Sequence, residues 1–320
     1  MRRVTYYIVD VFTDKPLAGN PLAVFPDRTE IREEELQQVA RELNLSETVF
    51  VEDPTDKTAL RRLRIFTPLK EIPLAGHPVV GTWFLLASRG VVDLDEVLHS
   101  GMATLEMADG IEKITFNHEL AAGVLPVTVY RSDGEVTGVA MDQVPPVFGD
   151  EIQDVDLVAS ALGLKGDQIR RSGMPPRVVS TGLPIMIAPL ASLKDLQEIQ
   201  INTSEFSNLT TEHKCTGIYA FTRDAPKEVA LVRARGFFPD VGVAEDPATG
   251  SASGCLGAYL AKHDVIHPRP TVAFQISQGA EIGRPSTIGV EVTAEGAEIV
   301  RIRVVGTSVI VIEGKLLLPD

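Results

Sequence analysis

Cysteine is scarce in this 320-residue chain. Only Cys215 and Cys255 are present, and neither belongs to a CxxC pair, so the sequence predicts no disulfide framework and no cysteine-based metal site. This usage is typical of a reducing cytoplasm. The apolar segment 4–9 is interrupted at Asp10 and Asp14, and no run of about 18 apolar residues follows. We therefore expect a cytoplasmic protein that is neither exported nor membrane-spanning.

Positive charge is also in short supply. There are 30 Lys and Arg residues against 44 Asp and Glu residues, a formal net charge of −14, and no basic cluster reverses that sign locally. Phosphate backbones and anionic membranes would be repelled, which argues against nucleic acid and membranes as partners. A small anionic substrate is not excluded, because helix termini can supply local positive potential.

Several cofactor and nucleophile motifs are missing. The chain has no GxGxxG, no GxxxxGK[ST] and no GxSxG, which argues against the commonest dinucleotide, P-loop and serine-hydrolase sites. His263 and His267 have the i,i+4 spacing of a metal pair, but Pro268 disrupts the helix that such a pair needs. We expect neither a metal nor an organic cofactor.

The order of apolar and turn segments predicts a mixed chain. A length of 320 residues favours two domains. The predicted strands lie at 6–12, 22–25, 48–51, 63–66, 124–130, 177–188, 217–221, 229–235 and throughout 271–318. The predicted helices lie at 29–43, which is amphipathic, at 79–88, which is buried, and at 154–163 and 191–199.

Two pairs of segments match each other within the chain. Residues 71–77 and 245–251 share Glu, Pro and Gly at the same offsets, and each segment opens an apolar helix. Upstream, residues 19–24 resemble residues 182–187 in the same order. The two matches in register indicate an ancient duplication with two similarly built lobes.

The two helix starts are candidate anion sites. We expect Pro78 to occupy the first helical position, where a missing N–H costs nothing, with His77 at or near the N-cap. At the second start the Thr249 hydroxyl and Gly250 would do the same work. Free backbone N–H groups and the helix dipole favour a carboxylate there, and Gly76 and Gly250 allow close approach. Ordinary capped core helices are the alternative for either motif alone, and the paired occurrence favours a site in a cleft between the lobes.

Two carboxylates are candidates for chemistry. Strand alternation places Glu47 on one face with Val49 and Val51, where lost solvation would raise its pKa toward values suited to a general acid/base. Periodicity alone favours a solvated glutamate at a strand end. Asp246 could hold His77 across the cleft or bind a substrate amine or hydroxyl, but the sequence alone favours a cap on its own Asp-Pro-Ala-Thr turn.

Seven motifs in order resemble the PhzF-like family of phenazine-biosynthesis proteins. They lie at 10–14 with 18–24, 45–48, 66–68, 73–78, 180–184, 245–252, and 277–279 with 283–285. The resemblance implies the diaminopimelate epimerase-like fold. This is an α+β architecture of two pseudo-symmetric lobes, each a barrel-like, mostly antiparallel sheet around a central helix.

The resemblance also implies where the lobes and the site lie. The lobes would be 1–118 and 119–306, and the C-terminal strand 307–320 could complete the first lobe. The central helices would be 78–88 and 251–262, with the site between the lobes. The implied catalytic residues are Glu47 as the proton-transferring acid/base, His77 and Asp246, and the implied substrate-binding residues are Gly76, Gly250, Ser251 and Asn20.

One departure from the wider superfamily narrows the chemistry. Diaminopimelate epimerases and proline racemases carry cysteine bases at the helix starts, where this chain has His77 and Ser251, so two-thiol racemisation is not expected. The leading hypothesis is a cofactor-independent isomerase that moves a proton on a small carboxylic acid through Glu47. The alternatives are an epimerase or hydro-lyase that uses His77 as partner, and a non-catalytic small-acid binding protein. A homodimer is plausible by resemblance only.

Overall fold

The computed structural model describes residues 1–225 and 230–320, and they form two compact units. The first unit comprises residues 1–142 and 305–320, and the second comprises residues 143–304. The predicted lobes had other bounds, with a division after residue 118. That position lies inside a strand, Ile111–Leu120, which pairs with the strand that follows it.

The first unit is mostly strand. Its strands before the second unit are β1 (Arg2–Val11), β2 (Asn20–Phe25), β3 (Glu47–Glu52), β4 (Arg62–Phe66), β5 (Glu71–Ile72), β6 (Ala103–Ala108), β7 (Ile111–Leu120), β8 (Gly123–Ser132) and β9 (Glu135–Asp142). Its helices are α1 (Leu36–Leu43), α2 (Gly76–Ser88) and α3 (Leu94–His99), with a 3₁₀ turn at Glu33–Glu35.

The second unit has the same character. Its strands are β10 (Val147–Glu151), β11 (Arg177–Ser180), β12 (Pro184–Leu190), β13 (Ile218–Thr222), β14 (Val232–Phe238), β15 (Val243–Asp246), β16 (Thr271–Gln278), β17 (Ser286–Glu295) and β18 (Glu298–Gly306). Its helices are α4 (Val155–Ala161), α5 (Gly166–Arg170), α6 (Leu193–Gln197), α7 (Thr203–Glu212) and α8 (Gly250–Lys262). The chain then returns to the first unit as β19 (Ser308–Leu318).

Helix α2 is the central helix of the first unit. Its side chains are buried on all sides, as expected for a helix without a polar face, and Trp83, Leu85 and Leu86 are fully buried. Gly81 lets the helix approach the sheet, because a Cβ there would lie 2.6 Å from Val11 Cγ2. Around it, β1 pairs antiparallel with β19 and β2, β2 pairs parallel with β3, and β3 pairs antiparallel with β4.

Helix α8 takes the same place in the second unit. Cys255, Leu256 and Tyr259 are fully buried, and a Cβ at Gly257 would lie 2.7 Å from Val290 Cγ1. Strands β11 and β12 are antiparallel, β12 and β13 are parallel, and β13 and β14 are antiparallel. Both central helices have 13 residues, and no helix within residues 1–225 and 230–320 is long and apolar enough to cross a membrane.

The two units repeat one pattern of strand pairing and side-chain contact. In each unit a short strand, β5 or β15, pairs antiparallel with β4 or β14 and leads toward the central helix. The glutamate of each short strand accepts two hydrogen bonds from an arginine of the longer one, at 2.8 and 2.7 Å for Arg64–Glu71 and again for Arg235–Glu245. Each guanidinium also lies over the phenylalanine two residues on, 5.3 and 5.0 Å from the ring centre. The predicted fold class and its pseudo-symmetry are confirmed.

Some predicted elements differ from the structure. The helix predicted at 29–43 is a turn, a 3₁₀ segment and only then α1, because the Glu35 carboxylate accepts from Arg2 and from the Arg32 N–H at the helix entrance. The strand predicted at 177–188 is two strands, separated by a turn in which Gly182 has φ +121°. For the strand predicted at 229–235, residue 229 lies outside the described residues, and β14 begins at residue 232.

Candidate active site

Glu47 is the first residue of β3. It lies in parallel register with Leu22 of β2, directly after the turn that closes α1, where Asn44 adopts the left-handed conformation. Its side chain is only 15% exposed, and the next four residues of β3 are buried on both faces. The glutamate is therefore not the solvated strand end that periodicity alone favoured.

His77 lies beside this carboxylate. It is the second residue of α2, its side chain is 5% exposed, and its Nε2 lies 3.3 Å from Glu47 Oε2. Burial lowers the pKa of His77 to about 3, so the imidazole is neutral at pH 7. The expectation that Pro78 occupies the first helical position is wrong, since the helix begins at Gly76 and Pro78 is the third residue. Proline is still tolerated there, because the N–H groups of the first turn have no partner within the helix.

Two further side chains fix the protonation of His77. Ser46 Oγ donates to Asn20 Oδ1 at 3.1 Å, and Asn20 Nδ2 lies 3.3 Å from His77 Nδ1. Because the Asn20 amide presents its N–H₂ group, Nδ1 must accept, and the neutral ring carries its proton on Nε2. That nitrogen faces Glu47.

The Nε2–H group is the unusual feature of this site. Its direction does not meet hydrogen-bond geometry with Glu47 Oε2, and among residues 1–225 and 230–320 it has no hydrogen-bond partner. A buried donor without an acceptor costs about 1–3 kcal/mol. A bound ligand that offers an oxygen atom would recover this free energy.

Both central helices begin without a side-chain cap. At α2 the N-cap residue is Ala75, which has no capping atom. At α8 the N-cap is Thr249, whose hydroxyl does not cap the helix but donates to Asp246 Oδ2 at 2.6 Å. The expectation that the Thr249 hydroxyl caps α8 is therefore wrong. Each start presents backbone N–H groups and the positive end of the helix dipole, which suits a carboxylate.

Asp246 ends β15 and is 8% exposed. Its contact with Thr249 spans three residues and is the local turn that the sequence favoured. Gly250 and Ser251 follow as the first two residues of α8, with Gly250 buried and Ser251 partly buried.

The structure thus forms two groups from the predicted site residues. Glu47, His77, Gly76 and Asn20 lie together in the first unit, and Asp246, Gly250 and Ser251 lie together in the second. Sequence reasoning assigned no role to Ser46, although it immediately precedes Glu47. Its contact with Asn20 spans 26 positions, and no periodicity signals such a contact.

Comparisons with known proteins agree with this architecture. The family described as "Phenazine biosynthesis-like protein" matches residues 9–314. The chain is 31% identical to an uncharacterised isomerase of Clostridium acetobutylicum over 99% of each chain. It is 33% identical to the trans-2,3-dihydro-3-hydroxyanthranilate isomerase of Pseudomonas aeruginosa, over 97% of this chain and 98% of that one. The crystal structure of a PhzF-family phenazine biosynthesis protein of Bacillus anthracis superposes with a TM-score of 0.84 at 29% identity, covering 99% of this chain and 100% of that one.

The fold and the named relatives make the chain an isomerase. It belongs to the PhzF family of phenazine biosynthesis-like proteins.

Proposed function

We propose that this isomerase moves a proton between two carbons of a small carboxylic acid, with Glu47 as the group that removes and returns the proton. One observation carries the proposal. A largely buried carboxylate lies 3.3 Å from the Nε2–H of a neutral, buried histidine whose tautomer is set by Asn20. A carboxylate in such a setting suits proton transfer to and from carbon, because burial removes the water that would otherwise stabilise its charge.

The proposed reaction has two proton transfers. The Glu47 carboxylate takes a proton from one substrate carbon, and the electron pair of the broken C–H bond moves into the adjacent π system. Glu47, now a carboxylic acid, returns the proton to a second carbon on the same face, and the double bond shifts. One C–H bond breaks and one forms, so no oxidant or reductant enters the balance, and the proposal calls for no cofactor.

The neighbouring groups have separate roles in this proposal. The His77 Nε2–H, which lacks an acceptor among the described residues, would donate to a substrate oxygen where charge develops after the first transfer. The uncapped start of α2, at Gly76, would bind the substrate carboxylate. The uncapped start of α8, at Gly250 and Ser251, would bind an anionic or polar group of the substrate. Asp246 would bind a substrate amine or hydroxyl.

The experiment follows deuterium from D₂O into candidate substrates by mass spectrometry. Trans-2,3-dihydro-3-hydroxyanthranilate, the substrate named for the Pseudomonas relative, is the first probe, followed by small cyclic and amino carboxylic acids. Three proteins are compared: wild type, Glu47→Gln, and Glu42→Gln as a control that changes an exposed carboxylate five positions earlier. Positioned acid/base groups contribute about 10²–10⁴-fold, so Glu47→Gln should lower the exchange rate by that factor.

The outcomes separate the candidate functions. Deuterium that enters a double-bond isomer with wild type and Glu42→Gln, but not with Glu47→Gln, supports the proposal. Deuterium at a single carbon with inverted configuration would instead indicate an epimerase. Equal exchange by wild type and Glu47→Gln would refute the role of Glu47, and tight binding with no exchange by any protein would favour a small-acid binding protein.

A further inference from the structure

Gln278 is a fully buried side chain at the end of β16, and all of its polar atoms are used. Its Oε1 accepts from the Thr249 N–H at 3.0 Å and from the Tyr219 hydroxyl at 2.8 Å. Its Nε2 donates to Asp246 O at 2.7 Å and to Thr249 Oγ1 at 3.1 Å. The Gln278 amide therefore connects the end of β15 with the N-cap of α8, and it is about 30 sequence positions from both.

The turn after Gln278 contacts the same loop. Ser286 Oγ donates to Pro247 O at 3.0 Å. Gly279 has φ +81°, and a Cβ there would lie 2.4 Å from Pro247 O, so only glycine lets the two backbones come this close. The carbonyl oxygens of residues 246 and 247 are thus both held from the turn that starts at Gln278.

Gly236 closes this arrangement from β14. A Cβ at that position would lie 2.8 Å from Thr249 Oγ1 and 3.2 Å from Gln278 Nε2, so no larger residue fits without displacing the amide. A fully satisfied buried network of this kind has one low-energy arrangement, because any movement leaves a buried polar atom unpaired.

We propose that Gln278 is a positioning residue of the isomerase: it fixes the Asp246 carboxylate and the first turn of α8 in the geometry that the substrate requires. This inference rests on the proposed function, in which Asp246 and the α8 start contact the substrate. Gln278 acts only through Thr249 and the backbone of residues 246–249. Asp246 Oδ2 is in turn held by the Thr249 hydroxyl, to which Gln278 also donates.

The test compares Gln278→Met, which removes all four hydrogen bonds at similar volume, with Gln278→Glu and with Tyr259→Phe. Tyr259 lies farther along α8, and its fully buried side chain donates one part-buried hydrogen bond to Pro175 O at 2.7 Å, so Tyr259→Phe reports the effect of losing a core hydrogen bond away from the site. Two quantities are measured on the full chain. One is amide hydrogen exchange of peptides that contain residue 249. The other is steady-state turnover of trans-2,3-dihydro-3-hydroxyanthranilate, or of the acid for which Glu47-dependent exchange is found.

Gln278→Met should speed exchange of the Thr249 amide by about tenfold or more, since its acceptor is lost. It should lower kcat by about 10²-fold, the scale expected when a reacting group shifts by about 1 Å. Gln278→Glu adds a second measurement, the pH dependence of activity, which a simple loss of stability would not change in the same way. Its ionised carboxylate cannot donate to Asp246 O, but its protonated form can, so its activity relative to wild type should rise as pH falls. The ratio for Gln278→Met should not depend on pH in this way.

Two results would overturn the inference: wild-type kcat and wild-type protection of residue 249 in Gln278→Met, or losses of the same size in Gln278→Met and Tyr259→Phe. Failure of the proposed function is recognised separately, because it appears as undiminished exchange by Glu47→Gln. The hydrogen-exchange comparison needs no substrate, so it decides whether Gln278 holds the loop in either case.

Discussion

Replacing Asn20 with aspartate should reverse the protonation of His77. The present amide donates to Nδ1 at 3.3 Å and leaves the proton on Nε2. A carboxylate in the same place has only acceptor atoms, so two acceptors would face each other unless His77 places a proton on Nδ1. The ring must then change tautomer or become a cation.

The size of the effect follows from the burial of the ring. Burial lowers the pKa of His77 to about 3, so the cationic ring is a minor species at pH 7. A carboxylate about 3.3 Å away is worth about 5 kcal/mol at an effective dielectric constant of about 20, or nearly four pKa units. The pKa of His77 should therefore rise well above its present value of about 3 in Asn20→Asp.

Activity should fall as the ring changes. The cation keeps its Nε2–H, but the neutral Nδ1–H tautomer has an acceptor at Nε2 and no proton to donate to a substrate oxygen. At a pH well above the raised pKa of His77, where this tautomer dominates, we therefore expect a loss of about 10²–10⁴-fold in the deuterium-exchange assay. Nitrogen-15 NMR of labelled histidine distinguishes the two tautomers and the cation directly. Asn44→Asp, at the exposed turn that closes α1, adds the same charge without contact with the ring. If Asn20→Asp keeps the neutral Nε2–H tautomer and wild-type activity, the argument from the Asn20 amide is wrong.

Two further predictions concern stability. His77 and His118 are both buried, and burial lowers the pKa of each to about 3. The unfolded chain, in which a histidine has its ordinary pKa of 6.5, therefore binds these two protons more tightly than the folded chain. The free energy of unfolding is thus fully retained above pH 6.5 and falls as pH falls toward 3. Urea unfolding should show a loss of about 2 kcal/mol per histidine between pH 7 and pH 5, and an unchanged midpoint would contradict it. Arg235→Leu should cost about 3–5 kcal/mol, because it leaves the 13%-exposed Glu245 carboxylate unpaired. The equivalent Arg64→Leu should cost clearly less in the same urea titration. Two of its partners, Glu71 and Glu33, are 32% and 62% exposed, and the third, the 13%-exposed Glu52, keeps its ion pair with Arg28. Equal costs would argue against burial of an unpaired carboxylate as the cause.

Sequence patterns were sufficient for the elements that bury a continuous apolar surface. Helix α2 was expected from its apolar segment and α8 from the internal match and the family resemblance, and the structure extends them by only a few residues. Helices whose apolar stripe is short were missed. Helix α7, for example, buries only Phe206, Leu209 and Thr210, and this spacing does not stand out among its polar neighbours.

The site was predictable only in part. Glycine and proline marked the two helix starts, because these residues have strong local meaning. Periodicity favoured a solvated Glu47, and only the family resemblance indicated a catalytic role for it. The contacts that set protonation and geometry were not predictable, since Asn20 and His77 are 57 positions apart and Gln278 is 29 positions from Thr249. Such contacts depend on strand order and register, which no short segment encodes.

Strand β19 completes the first unit, but it follows the whole second unit in the chain. It pairs along its length with β1, yet the ribosome makes it only after all of residues 143–304. At about 5–20 residues per second, synthesis of those roughly 160 residues takes about 8–30 s. During that time β1 lacks its outer partner and presents an open edge, which is a template for pairing with other chains. The second unit has no such delay, so the half that carries Glu47 and His77 should be the later to mature and the more dependent on chaperones in the cell.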